Sequence, residues 1–373
     1  MFLVALITAT AVPIVFLYIV YTLDLYKTGS FRYILYCFLW GGVAFLGAYF
    51  INPAIGDLSQ IPWETTARFV APVVEEIIKA LILIYLVRQT HFTYFVDGAI
   101  YGFSVGIGFA IFENYQYLLG APDVALNLAI GRVLSTNLMH ATASALVGIA
   151  LGLSRFRRFS GRSFLLAGGW LAAMTVHVAF NNLVTRVSSG YLLLYAAGAG
   201  LLGALLIAFA IKRGLAEEKR WIEETLGEAD RVTTGEAAVV HRLGNLSQIL
   251  RPLAERFGPE KASAIERFLR LQARLGILRK TLEKLTDEKM VKAVEAEMEV
   301  LRLEMDETRR SVGTYCMLYL RNIFPEETSP LWSRLEILIP EHAAARSKSG
   351  DASLWSTLGQ RTAEAAKART KTE

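Results

Sequence analysis

The chain has 373 residues, of which 53% are hydrophobic and only 20% charged, with a mean hydropathy of +0.37. Most of the charge falls late in the sequence, which excludes a uniformly water-soluble globular fold. The formal net charge of +5 lies largely in loops between apolar runs, where it sets membrane orientation, so nucleic-acid binding is not expected.

In chain order, the apolar runs predict an all-α polytopic membrane protein with about seven transmembrane helices followed by a soluble helical bundle. The first span, Phe2 to Leu23, contains Pro13, which a membrane helix tolerates, and it lacks the basic region and cleavage site of a signal peptide. The others are expected at Tyr33 to Ile51, Thr65 to Val87, Phe95 to Leu119, Val124 to Leu153, Phe164 to Val187 and Tyr191 to Ile211. Each covers a hydrocarbon core of roughly 30 Å, which takes about 20 residues of helix. The two cysteines, Cys37 and Cys316, fall in regions not expected to meet, so no disulfide is predicted.

Loop charge alternates along this series. Lys27 and Arg32, then Arg88, then Arg155, Arg157, Arg158 and Arg162, then Lys212 and Arg213 mark one side, whereas Asp57, Glu64 and Asp123 mark the other; Arg186 alone dissents. The positive-inside rule therefore predicts an N-terminus outside, a cytoplasmic C-terminus and a multi-pass location in the plasma (inner) membrane.

After the last span the composition becomes that of a soluble helical region, giving a division into a transmembrane domain at 1–213, a cytoplasmic helical domain at 214–342 and a disordered tail at 343–373. Gly258-Pro259 has the order that ends one helix and begins the next. Ile265, Phe268, Leu269, Leu271 and Leu275 form an apolar stripe at helical spacing, continued by Val291, Val294, Met298 and Leu301. The stripe fits an intrachain core of about four helices, with a homo-oligomer or cytoplasmic protein partner through 214–342 as the alternative.

Against this apolar background the polar residues inside the spans stand out. Glu75, Glu76 and Lys79 share one span, although a charge at membrane depth costs roughly 2.5 to 3.5 kcal/mol on insertion scales. The next span opens with Asp97-Gly98 and closes with Glu113-Asn114. The following one places Asn137, His140 and Ser144 on one side, with Arg132 further out, and the sixth puts His177 and Asn181 on one face. Most of these groups fall between the bilayer midplane and the outer surface. Any single member has a structural explanation: Asp97 and Arg186 snorkelling, Asn137, Asn181 and Ser144 as interhelical hydrogen bonds, glycines such as Gly102, Gly106, Gly108, Gly148 and Gly152 as close-packing positions. The functional reading rests on the constellation. Carboxylates and imidazoles gathered in a low-dielectric site suit water activation and hydrolysis, and Glu with two His is also a ligand set for catalytic zinc. A proton relay in a proton-coupled transporter uses the same residue types, but no internal repeat supports it. A non-catalytic membrane receptor or scaffold is the third reading.

The ordered set Glu75-Glu76-x-x-Lys79, Asp97-Gly98-x-x-Tyr101-Gly102, Gly108-Phe109-Ala110-x-x-Glu113-Asn114, His140 and His177-x-x-x-Asn181 resembles the PrsW-type intramembrane proteases, relatives of the CAAX-processing and bacteriocin-processing enzymes. The resemblance covers about residues 65 to 185. Relatives with an EExxxR motif carry Arg one position later and His in place of Glu113, so Lys79 and Glu113 favour the PrsW branch. The resemblance implies peptide-bond hydrolysis of membrane-anchored proteins near the extracytoplasmic side and, for the name-giving branch, a first cut in regulated proteolysis. Substrate and lipid bilayer are then the implied partners.

Within that expectation Glu75 is the general base, and Glu76, about 100° around the helix, supports it. Glu113 and His140 position water and carbonyl, His177 stabilises the oxyanion, and Asn181 adds a donor. Lys79, Asn114, Arg132 and Asn137 are supporting residues. A metal, if used, is expected on Glu113, His140 and His177; the cofactor is otherwise none, and the absence of HExxH leaves glutamic and metallo (Zn2+) mechanisms both open, with the metal-free one favoured.

Overall fold

The computed structural model describes residues 1–23, 31–156, 159–184, 189–225, 232, 234–241, 246–285 and 287–321. The expected tail at 343–373 lies outside them, as do Lys27, Arg157, Arg158 and Arg186 of the charge pattern. The described residues are all-helical.

Helix α1 (Phe2–Leu23) lies at the edge of the membrane bundle and α2 (Phe31–Ser59) packs against its centre. Helix α3 is a single turn (Trp63–Thr65) that runs through a π-helical segment, Thr66–Val70, into α4 (Ala71–Leu86). Next come α5 (Phe95–Gly120), the short α6 (Ala125–Leu134), α7 (Thr136–Ser154), α8 (Phe159–Val184) and α9 (Ser189–Thr225). The centre is α5 with the α6–α7 unit: 94% and 83% of their most apolar windows are buried, against 17% for α1 and for α8. Such all-round burial requires small residues where the backbones cross. A Cβ on Gly98 would stand 2.1 Å from Gly148 O, and one on Gly106 would stand 2.4 Å from His140 O.

Five helices among the described residues are long and apolar enough to cross a membrane, and the chain is an integral membrane protein. The expected count of seven is not reached by this measure. The third expected span becomes α3, the π segment and α4, which has 16 residues and carries Glu75, Glu76 and Lys79. The last expected span forms the first part of α9. Pro72 accounts for the π segment: Ala71 N bonds Thr66 O, five residues back, and Pro72, next in that register, has no N–H to offer Ala67 O. The expected fifth span is also divided. Ser135, with φ −119° and ψ −77°, separates α6 from α7 and turns its hydroxyl back onto Gly131 O.

Helix α9 is about 55 Å long at 37 residues and leads to α10 (Thr234–His241), α11 (Leu246–Phe257), α12 (Pro259–Lys284), α13 (Glu288–Val312) and α14 (Thr314–Arg321). Gly258, at φ 89°, ends α11, and Pro259 opens α12 as the sequence predicts. The apolar stripe is interior: Ile265, Phe268, Leu269 and Leu275 are buried, and Leu275 and Leu278 meet Val294, Met298 and Leu301 across α12 and α13. One continuous apolar cluster joins these helices to the membrane bundle, with Tyr94 and Trp221 4.4 Å apart between ring centroids. Cys37 and Cys316 are both buried and free.

Candidate active site

Helix α4 presents Glu75, Glu76 and Lys79 to the interior, all buried, with Val73 and Ile77 facing outward. Spacings of three and four residues bring the three charged groups to one helix face. Lys79 Nζ is 2.6 Å from Glu76 Oε1 and 3.0 Å from His140 Nδ1, and it lies 4.2 Å from the centre of the Phe109 ring. An ammonium can only donate, so His140 Nδ1 accepts and its proton resides on Nε2, which stands 3.1 Å from Glu113 Oε2. Helices α4, α5 and α7 are thus tied together through one neutral imidazole.

His177 enters from α8. Its Nδ1 is 3.0 Å from Glu76 Oε1, a carboxylate oxygen already accepting from Lys79, and so donates to it. The lone pair on His177 Nε2 then faces Glu75 Oε2 at 3.7 Å. Glu75 Oε1 accepts from Asn52 Nδ2 at 3.2 Å, whereas Glu75 Oε2 is buried with no hydrogen-bond partner. Two acceptors therefore face each other across a gap that a proton donor or a cation would fill. The His140 and His177 rings meet edge to face, 4.7 Å apart.

A second chain of polar groups supports Glu113. Arg132 donates to Glu113 Oε2 and to Asn114 Oδ1, the latter at 2.7 Å; Asn114 in turn donates to Asn137 Oδ1 at 2.7 Å. The Arg132 guanidinium stacks 3.9 Å from the Tyr117 ring centre. Lys79 and Arg132 are thus committed to Glu76 and Glu113, and Glu75 has neither a lysine nor an arginine bonded to it.

The site opens into a cavity of about 750 Å3 whose wall includes Glu75, Glu113, Arg132, Asn181 and Asn52. Its lining comes from the ends of α2, α5 and α8 and the start of α4, so it lies at the end of the bundle opposite the C-terminal helices. Asn181 Nδ2 donates to Ala67 O at 3.0 Å, which places it a turn away from the imidazoles on the wall formed by the π segment. Asp97 caps the start of α5, accepting from Thr93 N and Thr93 Oγ1 at 2.6 and 2.7 Å at the far end of the helix.

All six residues with expected catalytic roles and the four supporting ones are therefore placed: Glu75, Glu76, Glu113, His140, His177 and Lys79 form one network, Arg132, Asn114 and Asn137 a chain beside it, and Asn181 the adjoining wall. Among the described residues the donor set that converges most closely is Glu75, His140 and His177, with ligand atoms within 4.8 Å of one another; Glu113, expected in that set, is instead held by Arg132 and His140. Sequence reasoning missed Asn52, for which the available signal was an Asn-Pro pair late in an apolar span, and Tyr117 and Phe109, which look like ordinary apolar positions.

The profile of the family described as "PrsW family intramembrane metalloprotease" matches residues 29–220, more than half of the chain. The chain is similar to several relatives that bear the name Protease PrsW. That of Bacillus subtilis (strain 168) is 32% identical over 116 residues, 31% of this chain and 52% of the relative. That of Clostridioides difficile (strain 630) is 36% identical over 89 residues, 23% of this chain and 37% of the relative. That of Shouchella clausii (strain KSM-K16) is 26% identical over 196 residues, 52% of this chain and 88% of the relative. The chain thus spans about half or less of the first two relatives. No solved structure matches it.

Proposed function

The chain belongs to the PrsW family of intramembrane metalloproteases, and on that premise we propose that it hydrolyses peptide bonds of membrane-anchored proteins near the extracytoplasmic side, with Glu75 as general base. The observation that carries the proposal is the buried, partnerless Glu75 Oε2, on a residue that lines the cavity, facing His177 Nε2 across 3.7 Å behind that wall. A water beside this pair, off the line that joins the two atoms, would donate to both acceptors. Glu75 takes its proton as the oxygen attacks the scissile carbonyl, a role worth about 10²–10⁴-fold in rate. Glu75 then returns that proton through His177 Nε2, whose ring is fixed by Nδ1 on Glu76, to the nitrogen of the departing amine as the C–N bond breaks. His140 Nε2–H, held by Glu113 Oε2 at 3.1 Å in the resting site, would be shared with the developing oxyanion, with Asn181 on the adjoining wall orienting the peptide.

The same three side chains, Glu75, His140 and His177, would hold a metal ion of the kind the family description implies; the convergent buried donors and the free Glu75 oxygen fit such a group once Lys79 releases the His140 Nδ1 lone pair. A metal there would act as a Lewis acid and lower the pKa of its bound water. The steps above use only the protein's own groups, with Lys79 and Arg132 supplying positive charge.

The charged loops favour a cavity that opens outside and a C-terminal region at 214–342 that lies in the cytoplasm, which suits a first cut in regulated proteolysis. The test compares new protein N-termini in membranes of cells with equal amounts of wild type or Glu75→Gln. Termini beside a transmembrane segment that appear with wild type alone are expected; identical termini would overturn the proposal and favour transport or scaffolding.

A further inference from the structure

We infer that Asn52, on α2, is a positioning residue that selects which oxygen of Glu75 does the chemistry. The inference rests on the proteolytic reading above and goes beyond the residues that the motifs mark.

Asn52 is 6% exposed and directly precedes Pro53 in a helix otherwise rich in apolar side chains. An amide at this depth needs a reason, since a leucine would fill the space without desolvating a polar group. The reason is visible in its donor: Nδ2 gives a hydrogen bond of 3.2 Å to Glu75 Oε1. The amide cannot be turned the other way, because Oδ1 would then face a carboxylate oxygen and two acceptors would meet. With Oε1 so held, Oε2 is the oxygen left free, and it is the one that faces His177 Nε2 at 3.7 Å. Asn52 Oδ1 is itself buried without a partner, and the residue lines the cavity. The side chain is thus kept for its donor although its acceptor goes unused. Its carrier, α2, is held against α4 separately, by Trp40 Nε1 donating to Ile78 O at 3.1 Å, so Asn52 is not needed to dock the two helices.

The test uses the full-length protein in detergent and a fluorogenic peptide spanning a bond whose new N-terminus depends on Glu75. Asn52→Leu removes the donor and keeps the volume; Asn52→Asp keeps the shape and replaces the donor with an acceptor; Asn52→Gln keeps the donor. The expected result is a fall in kcat of about 10–100-fold for Leu and Asp, in line with the loss of a partner that orients a reacting group. KM should stay within about twofold of wild type, and Gln should recover part of the rate. Thermal unfolding of each variant separates misfolding from mispositioning, and the isosteric Asp variant decides the matter if the Leu variant is unstable. Wild-type kcat in either folded variant, a change confined to KM, or equal losses for Gln and Leu would overturn the inference. If no terminus depends on Glu75, the proteolytic reading fails first and this inference fails with it.

Discussion

Lys79 Nζ lies 3.0 Å from His140 Nδ1, so a cation on α4 fixes the tautomer of an imidazole on α7. The same ammonium neutralises Glu76, and the side chains of this pair are 1% and 0% exposed. Removing one member of a buried ion pair leaves the other uncompensated, at a cost of about 3–5 kcal/mol. Lys79→Met should therefore lower the stability of the detergent-solubilised protein by that order and abolish cleavage. Lys79→Met combined with Glu76→Gln should regain much of the stability and none of the cleavage, because His140 and His177 remain without their orienting partners. Chemical unfolding and product formation, measured on the same preparations, check both halves. A double variant no more stable than the single would show that the ion pair does not set the cost.

Metal content separates the two uses of Glu75, as base or as ligand. With Glu75 as base and Lys79 already bonded to His140 Nδ1, cleavage should survive treatment with a chelator, and zinc in the purified protein should stay well below stoichiometry. A stoichiometric zinc that is lost in His140→Ala, together with chelator-sensitive cleavage, would make Glu75 a ligand and sink the metal-free mechanism.

The site was more legible than the scaffold. Glu75, Glu76, Lys79, Glu113, His140 and His177 could be picked out because ionisable groups are rare in apolar spans, and helical spacing put Glu75 and Glu76 within reach of Lys79, whereas Glu113 was placed by depth alone. Asn52 was hidden because one amide in a long apolar run looks like interhelical glue, and its meaning depends on a residue 23 positions later on another helix. The breaks at Thr66–Val70 and at Ser135 were hidden for a different reason. Pro72 disturbs the backbone register without showing where it shifts, Ser135 is compatible with an unbroken helix, and the tertiary partner of the freed Ala67 carbonyl, Asn181, lies 114 residues away. The packing of the end of α9 against the start of α5 was also out of reach, since Trp221 and Tyr94 are far apart in sequence and carry no shared period.

The Asn181 bond to Ala67 O makes a prediction of its own. If Pro72 deprives that carbonyl of its next backbone donor and Asn181 supplies the substitute, Asn181→Leu should leave a buried acceptor unsatisfied, at about 1–3 kcal/mol. Adding Pro72→Ala restores an N–H in register and should recover part of that loss. Melting of the full-length variants in detergent is the measurement. A double variant less stable than Asn181→Leu alone would refute the account of the π segment.

His91 links the α4–α5 loop to the C-terminal helices and should make their docking sensitive to pH. Arg274 on α12 donates to His91 Nδ1 at 2.6 Å, Glu297 Oε1 on α13 stands 3.7 Å from the same atom, and the Tyr33 ring lies 5.2 Å away. Arg274 and Glu297 are also bonded to each other. A proton on Nδ1 would face the guanidinium, so the docked state favours neutral His91. Its pKa is lowered, chiefly by burial and further by Arg274, while Glu297 and Asp97 act in the opposite direction. A depressed pKa gives a contribution that is complete above the ordinary value of about 6.5 and is lost as the pH falls through the lower value of the docked state. Hydrogen exchange of the α4–α5 loop and of α12 in the full-length protein should therefore rise as the pH is lowered from about 7.5 to about 5, roughly one unit above and one and a half below that ordinary value. His91→Phe keeps a ring against Tyr33 and cannot titrate, so its exchange, corrected for the intrinsic effect of pH, should be flat over the same range. Equal pH dependence in the two proteins would remove His91 from the linkage and leave Glu297 as the group to examine.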